Sequence, residues 1–187
     1  MFERAHLNGY QTRIDWMGEW VVTLDDLWPD QPRAMIVGLN PAPASVEAGH
    51  YYQGRSGQRQ LLRLANAGLF QRPEQGSTYF EAGALEAGIG FTDIVKRPTP
   101  GEKGVRRAEI EFGRVALSRK LAGQGVPLVI CVFRHPVAAL LGTSGAPGFQ
   151  PRLTDWGARV FRMPGPFAAA AEAKGVMADL ARTIAQS

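Results

Sequence analysis

The sequence AMIVGLNPAPAS, residues 34–45, determines how the rest of the chain is interpreted. It begins as an apolar run and changes abruptly to a glycine, an asparagine and two prolines. An apolar run of this length, bounded by turn-forming residues, is typical of a buried strand. Asn40 is therefore expected where the strand ends, and Pro41 and Pro43 should make a stiff loop that cannot continue as a helix. The pattern fits a binding site at a strand end and an ordinary turn equally well.

Two further segments predict strands of the same sheet. Residues 126–133 are apolar throughout, as in a central strand, whereas residues 159–163 alternate apolar and basic side chains, as in an edge strand. Apolar residues at a spacing of three and four predict helices over residues 58–67, 103–122 and up to about 185. This alternation predicts one three-layer α/β/α domain, residues 1–187, with a mostly parallel sheet. Residues 1–30 are expected to form an N-terminal extension that packs on it.

Two other stretches carry polar residues that suggest a site. Residues 47–57 are polar, aromatic and rich in glycine, without a helical or strand period, which predicts a long functional loop. The segment GFTDIVKRPT, residues 90–99, contains strand-forming residues interrupted by Asp93. A carboxylate in an apolar segment requires an explanation because burying a charge is costly. A turn or cap aspartate and a functional aspartate are both compatible with this pattern.

Composition limits the classes of protein that fit. A chain of 187 residues suits one domain with a sizeable core, and its net charge of +4, mostly from arginine, weakly favours a nucleic-acid partner. Its apolar runs are too short to cross a bilayer and its first residues lack a signal-peptide pattern, so a cytoplasmic, nucleoid-associated protein is expected. The single cysteine, Cys131, excludes an internal disulfide, a cysteine-rich zinc site and a four-cysteine iron–sulfur cluster.

The common catalytic motifs are absent from the sequence. There is no Walker A loop, no GxGxxG after a strand, no HExxH and no GxSxG, and the three histidines lack metal-ligand spacing. The side chains that remain for chemistry are Asn40, Tyr51, Tyr52 and Asp93, with a loop at Gly165. If the sheet is parallel, these residues converge on one edge. An amide, aromatic rings and a carboxylate suit a planar polar ligand such as a nucleobase, with water activation beside it.

Three motifs resemble those of the mismatch-specific uracil/thymine-DNA glycosylases, a family of the uracil-DNA glycosylase superfamily. Gly38-Leu39-Asn40-Pro41 with Ser45 is similar to the family's GINPGxxS. Residues 90–99 are similar to its GVTxLVxRPT, and residues 163–166 are placed like its LPNP before the last helix. The similarity extends over residues 33–185, and the three motifs occur in the family's order.

The resemblance implies a fold, a reaction and roles for individual residues. It implies a parallel four-stranded sheet flanked by helices, and a monomeric enzyme that cleaves the base–sugar N-glycosidic bond in DNA without a metal or organic cofactor. Asn40 would place or polarise the attacking water, and Tyr52 would stack on the flipped base. The base pocket would include Gly38, backbone groups near Leu39 and the Ser45 hydroxyl. The loop that fills the gap left by the flipped nucleotide would contain Gly165, Pro166, Phe167, Ala168 and Ala169.

The chain departs from the family pattern at two places. The family's NPSGLSR is GPFAAAA here, residues 165–171, so its asparagine, wedge leucine and arginine are absent and strong mismatch selectivity is not implied. Phe167 fits either an apolar wedge or a core residue that seats the last helix. Asp93 replaces a basic residue of the bacterial mismatch-specific enzymes. Our hypothesis is that Asp93 supplies the general base, because the Asn40 amide cannot take a proton from water at neutral pH.

The sequence therefore predicts a DNA glycosylase that flips out and hydrolytically excises uracil and initiates base excision repair. Related mismatched or damaged bases are further candidate substrates. Two alternatives stay open at this point, a non-catalytic binder of damaged or abasic DNA and a hydrolase or binder of free nucleotides. The candidates for phosphate contacts are Arg55, Arg59, Arg97 and Arg134.

Overall fold

The computed structural model describes residues 7–186. Its strands are β1 (Gln11–Trp16), β2 (Glu19–Leu24), β3 (Ala34–Gly38), β4 (Ile89–Asp93), β5 (Leu128–Cys131), β6 (Gly148–Phe149) and β7 (Arg159–Arg162). Its α-helices are α1 (Pro43–Ala48), α2 (Arg55–Asn66), α3 (Glu81–Glu86), α4 (Arg107–Gly123), α5 (Arg134–Leu141) and α6 (Ala170–Ala185). Within the described residues, no helix is both long and apolar enough to cross a membrane.

The central sheet confirms the predicted fold class and corrects its details. Its strand order is β4-β3-β5-β7-β6, and the first four strands are parallel. The sheet has five strands rather than four, because β6 pairs antiparallel with β7. The prediction that residues 159–163 form an edge strand is therefore wrong. A two-residue strand is too short to produce a periodic signal in the sequence, so nothing indicated that it covers this edge.

Helices cover both faces of the sheet, as a three-layer domain requires. On one face, side chains of α2, α3 and α6 pack against Ile36, Phe91 and Phe161 in a continuous apolar cluster. On the other face, α4 and α5 pack against Val37 and Val129. The near-complete burial of β3, β4 and β5 on both faces explains why their sequences are almost uniformly apolar.

The N-terminal segment forms an antiparallel hairpin of β1 and β2. Trp16 is buried against the cluster on the α4 side, and its indole nitrogen donates a hydrogen bond to Glu109 Oε1 at 3.2 Å. Leu27, just after the hairpin, forms an isolated antiparallel bridge with Phe91 of β4. The first six residues of the predicted extension lie outside the described residues.

The loop after β3 is shorter than predicted. Pro43 begins helix α1 instead of preventing a helix, because proline is tolerated in a first helical turn, where its missing N–H would have no partner. α1 ends at Ala48 and α2 begins at Arg55, so only residues 49–54 of the predicted loop are irregular. The short helix also positions the aromatic residues that follow it.

Candidate active site

A cavity of about 270 Å³ opens at the edge of the sheet where the parallel strands end. Gly38 at the end of β3 lies in register with Asp93 at the end of β4, so the two predicted motifs meet there. The structure brings four predicted site residues together in the cavity wall and places Asp93 against one of them. The complete wall consists of Gly38, Leu39, Asn40, Tyr52, Thr99, Pro100, Gly101, Glu102, Phe133 and His135.

The Asn40 side chain is held through its amide nitrogen. Nδ2 donates to Thr99 Oγ1 at 2.8 Å and to the Pro41 carbonyl at 3.2 Å. The Thr99 hydroxyl donates in turn to the Gly101 carbonyl at 2.7 Å, which leaves its oxygen free to accept from Asn40. Because the amide nitrogen already donates hydrogen bonds within the protein, the carbonyl oxygen Oδ1 is the atom that can accept a hydrogen bond from water or a ligand in the cavity.

Two polar side chains meet above the α-carbon of Gly38. A β-carbon at this position would lie 2.1 Å from Asp93 Oδ1 and 2.9 Å from the Tyr52 hydroxyl oxygen. A methyl group at this position would therefore have to displace the ends of these two side chains. The Tyr52 hydroxyl is buried and has no hydrogen-bond partner among the described residues. Because an unpaired buried hydroxyl is costly, a polar group of a bound ligand would stabilise this arrangement.

The loop that carries Tyr52 is strained and tightly held. Tyr52 has a φ of +55°, which is uncommon for a residue other than glycine. The buried Glu81 accepts the backbone N–H of Tyr51 at 2.6 Å, and Ser45 Oγ accepts that of Gln53 at 3.0 Å. Ser45 lies beneath this loop and does not belong to the cavity wall, so its predicted contact with a base stays a prediction.

The electrostatic environment of Asp93 is unusual for a carboxylate. Its side chain is buried, and no described residue donates a hydrogen bond to the carboxyl group. Burial raises the pKa of Asp93 from 3.8 to about 7; the Lys96 charge lowers this pKa and the Asp26 charge raises it. A carboxyl group with a pKa near neutrality is well matched to general-base chemistry at pH 7, where it is partly ionised and a competent proton acceptor.

Residues 164–169 follow β7 and reach the surface beside α2. Phe167 is 73% exposed, the largest exposed fraction among the large apolar side chains that the structure describes. It therefore does not act as a core residue that seats α6. The Arg59 guanidinium carbon lies 5.5 Å from the centre of the Phe167 ring. This part of the chain leaves an aromatic ring and a cation available for contact with a partner.

The four arginines predicted to hold phosphates differ in how free they are. Arg55, Arg59 and Arg134 are exposed, and of these Arg59 donates to the Pro166 carbonyl at 3.1 Å and Arg134 lies 3.7 Å from Glu102. Arg97 instead forms two hydrogen bonds of 2.7 Å with the carboxylate of the fully buried Glu109. These hydrogen bonds hold the pKa of Glu109 well below its usual range. Arg97 therefore pairs with a buried carboxylate, and this structural role competes with its predicted phosphate contact.

Replacing Arg97 by methionine is expected to lower the free energy of unfolding by about 2 kcal/mol, because a buried carboxylate loses its bidentate partner. The loss is moderated by Arg106, which also donates to Glu109 at 3.1 Å. Chemical denaturation measures this change. If Arg97 has only the structural role, the salt dependence of DNA binding is unchanged, whereas loss of a phosphate contact reduces that slope by about one.

Phe133 and His135 are among the cavity-wall residues that sequence reasoning did not single out. Both follow β5, the strand next to β3, so their position after a central parallel strand was an available signal. His135 Nδ1 lies 3.1 Å from Glu102 Oε2, and this contact orients the imidazole ring. A ring held in this way presents its other nitrogen as a hydrogen-bonding group. The Phe133 ring and the His135 imidazole therefore add one apolar and one polar contact to the cavity.

Amide, hydroxyl, carboxyl and imidazole groups supply the polar side-chain atoms of the cavity wall. Among residues 7–186, no group of three or more His, Cys, Asp and Glu side chains is arranged to bind a metal ion. The cavity combines an amide acceptor and aromatic rings at the carboxyl ends of parallel strands, and the carboxyl group of Asp93, with a pKa of about 7, lies against Gly38 of its wall. The family model of the Uracil DNA glycosylase superfamily matches residues 26–180, which include β3 to β7 and every residue of this site. The chain belongs to the uracil DNA glycosylase superfamily.

Proposed function

We propose that the protein is a monofunctional uracil-DNA glycosylase of the mismatch-specific type, which flips uracil out of DNA and hydrolyses its N-glycosidic bond. Superfamily membership supports hydrolysis of the base–sugar bond of uracil in DNA. The motifs at Gly38–Ser45 and residues 90–99 favour the mismatch-specific type. The observation that carries the proposal is the placement of Asn40 and Tyr52 in the wall of one small cavity, with Asp93, whose pKa is about 7, packed against Gly38 of that wall.

The flipped base enters the cavity between the aromatic side chains and the end of β3. Tyr52 and Phe133 offer aromatic surface, and the backbone at Gly38 and Leu39 offers polar groups to the edge of the base. The unpaired Tyr52 hydroxyl and the His135 ring supply further hydrogen-bonding atoms. A site of aromatic surface with a few convergent polar groups is what a planar pyrimidine requires.

Hydrolysis needs one water and no other reactant. Asn40 Oδ1 accepts a hydrogen bond from this water and orients its oxygen towards C1′ of the deoxyribose. As the N1–C1′ bond breaks, its electron pair leaves with uracil, and the sugar develops oxocarbenium character that the Asp93 carboxylate stabilises. The water oxygen then bonds to C1′ and its proton passes to Asp93, which yields an abasic site and the uracil anion. Transfer of this proton from Asp93 to the anion, through solvent, gives neutral uracil and returns the carboxylate.

Selectivity is expected to follow the cost of unpairing the base. The side chains of residues 164–171 are Pro, Gly, Pro, Phe and four Ala, so this loop offers no hydrogen-bonding side chain to the base opposite the uracil. Uracil that is mismatched or single-stranded is cheapest to extrude and should be excised fastest. The exposed Arg55 and Arg134 are the candidates that hold the flanking phosphates, since Arg59 already donates to the Pro166 carbonyl at 3.1 Å.

The proposal is tested with oligonucleotides that contain one uracil opposite guanine, opposite adenine or in a single strand, and with a thymine–guanine duplex. We expect uracil release and an abasic site, fastest for single-stranded uracil and the uracil–guanine pair. Binding without release supports a non-catalytic binder instead. Base release from free deoxyuridine monophosphate, without release from oligonucleotides, supports an enzyme of free nucleotides. Either of these two results contradicts the proposal.

A further inference from the structure

The loop after β7 depends on another element for its hydrogen bonds. Pro164 and Pro166 have no backbone N–H, and the three consecutive carbonyls of residues 164–166 point towards α2. Gln60 Nε2 donates to the Pro164 carbonyl at 2.8 Å, and Arg63 donates to that of Gly165 at 2.7 Å. Arg59 donates to the Pro166 carbonyl at 3.1 Å. Three side chains of one helix thus satisfy three successive carbonyls.

These three side chains, which we call the α2 clamp, form a connected unit. Gln60 is completely buried, and its amide nitrogen also donates to the Val132 carbonyl at 3.2 Å, just beyond β5. Its amide oxygen accepts from Arg63 at 2.9 Å. The clamp therefore fixes the position of the loop relative to the end of a central strand. Because buried polar groups are costly when unpaired, removing a clamp donor releases the loop.

The position of Phe167 follows from the clamp. Inside the loop, the backbone N–H of Ala168 donates to the Gly165 carbonyl, which Arg63 also contacts. Arg59 lies over the Phe167 ring while it holds the Pro166 carbonyl. An exposed ring with so few other contacts is held in place by these donors and by the stiffness of the two prolines. The clamp thus presents the ring to the surface at a defined angle.

We propose that Gln60, Arg63 and Arg59 are positioning residues for duplex substrates. They hold the loop of residues 164–167 so that Phe167 enters the base stack and occupies the gap left by the flipped nucleotide. This inference rests on the proposed function. Apolar side chains can insert between base steps. A single strand has no paired stack to fill, so its uracil is excised without the clamp.

The test compares Arg63→Met and Arg59→Met with the wild type in single-turnover excision. Arg119→Met is the matched control, since Arg119 is exposed on α4 and its replacement removes the same charge. The substrates are a uracil–guanine duplex and the same uracil strand alone. We expect each clamp variant to be about tenfold slower on the duplex and within about twofold of wild type on the single strand, because only insertion depends on the lost hydrogen bonds. The control should match the wild type on both substrates.

A second measurement follows insertion directly. A fluorescent 2-aminopurine placed opposite the uracil reports the unstacking of this base when Phe167 enters the duplex. The clamp variants should show a smaller rise in fluorescence than the wild type and the Arg119→Met control. Arg63→Lys keeps the charge but loses the planar guanidinium, so it should recover part of the duplex excision rate and part of the 2-aminopurine fluorescence. This variant replaces Arg63→Met in the test if Arg63→Met does not fold. Thermal unfolding verifies that each variant is folded.

The outcomes separate the clamp from the glycosylase activity itself. Equal losses on duplex and single strand, or an unchanged 2-aminopurine signal, indicate a general structural role and overturn the clamp proposal. Full duplex activity in both arginine variants overturns it as well. If the wild type releases no uracil from either substrate, the proposed function is wrong. If the wild type is active and the variants are equally active, only the clamp proposal is wrong.

Discussion

The Asp93→Asn variant is expected to release uracil at least about a hundredfold more slowly than the wild type in a single turnover, because positioned general bases contribute on the order of 10²–10⁴-fold. The substitution keeps the shape of the side chain and removes its ability to take a proton. The neighbouring Gly38 leaves space for the amide as it does for the carboxyl group. DNA binding should be retained, since Asp93 is only 4% exposed and offers no surface for a phosphate contact.

The same substitution should stabilise the folded protein at high pH. Burial raises the pKa of Asp93 from 3.8 to about 7, so between these values the folded state binds more protons than the unfolded state. Stability therefore falls as the pH rises through this window. Asp93→Asn removes this loss. The gain in the free energy of unfolding should be about 4 kcal/mol at pH 8 and small near pH 4, because one pKa unit corresponds to about 1.4 kcal/mol.

Urea denaturation at the two pH values measures the gain, and quenched single-turnover assays measure the rate. A slow variant that is more stable at pH 8 is the combination expected of a residue kept for chemistry at the expense of stability. Wild-type excision by Asp93→Asn contradicts the catalytic role. A variant that is destabilised equally at both pH values contradicts the buried-charge explanation.

Gly38→Ala should reduce excision by about a hundredfold with little loss of stability, because a displacement of about 1 Å in a catalytic group has an effect of this size. The new β-carbon would lie 2.1 Å from Asp93 Oδ1, at the far end of a side chain that can rotate away. The fold can therefore accept the methyl group by moving the carboxylate. The moved carboxylate no longer faces the water that Asn40 holds.

Gly175→Ala is the matched control for this prediction. A β-carbon at Gly175 meets no atom within 4 Å, and the residue lies inside α6. It should leave excision unchanged and stabilise the protein by about 0.5–1 kcal/mol, since alanine is the better helix former. Rates from single-turnover assays and melting temperatures from calorimetry measure both effects. Unchanged excision by Gly38→Ala refutes the proposed arrangement of Asp93 against the strand end.

The parallel core of the sheet and the meeting of the two polar segments at one edge of it were predictable from the sequence. A stretch such as AMIVG is buried on both faces of a parallel sheet, and apolar runs of this kind leave a clear signal. Because parallel strands end at the same edge, Asn40 and Asp93 could be expected close together although they are far apart in the chain. The carboxylate that interrupts β4 was itself informative, since its burial needed a chemical reason.

Other features depend on tertiary contacts that leave no local pattern. The two-residue β6 has no period, and α1 begins at a proline that was expected to prevent a helix. The commitment of Arg97 to Glu109 requires the meeting of a strand end with α4, and both residues look like ordinary surface charges in the sequence. The α2 clamp could not be predicted from the sequence either, because Gln60 donates to carbonyls more than seventy residues away in the chain.

The pH dependence of single-turnover uracil release is the most direct test of the site. The wild-type rate from a uracil–guanine duplex should rise about tenfold per pH unit at acid pH and level off above a midpoint near 7, as Asp93 ionises. The Asp93→Asn rate should be low and show no such rise. A wild-type rate that is flat from pH 5 to about 9, or an Asp93→Asn variant that keeps the rise, contradicts the proposal that Asp93 takes the proton of the attacking water.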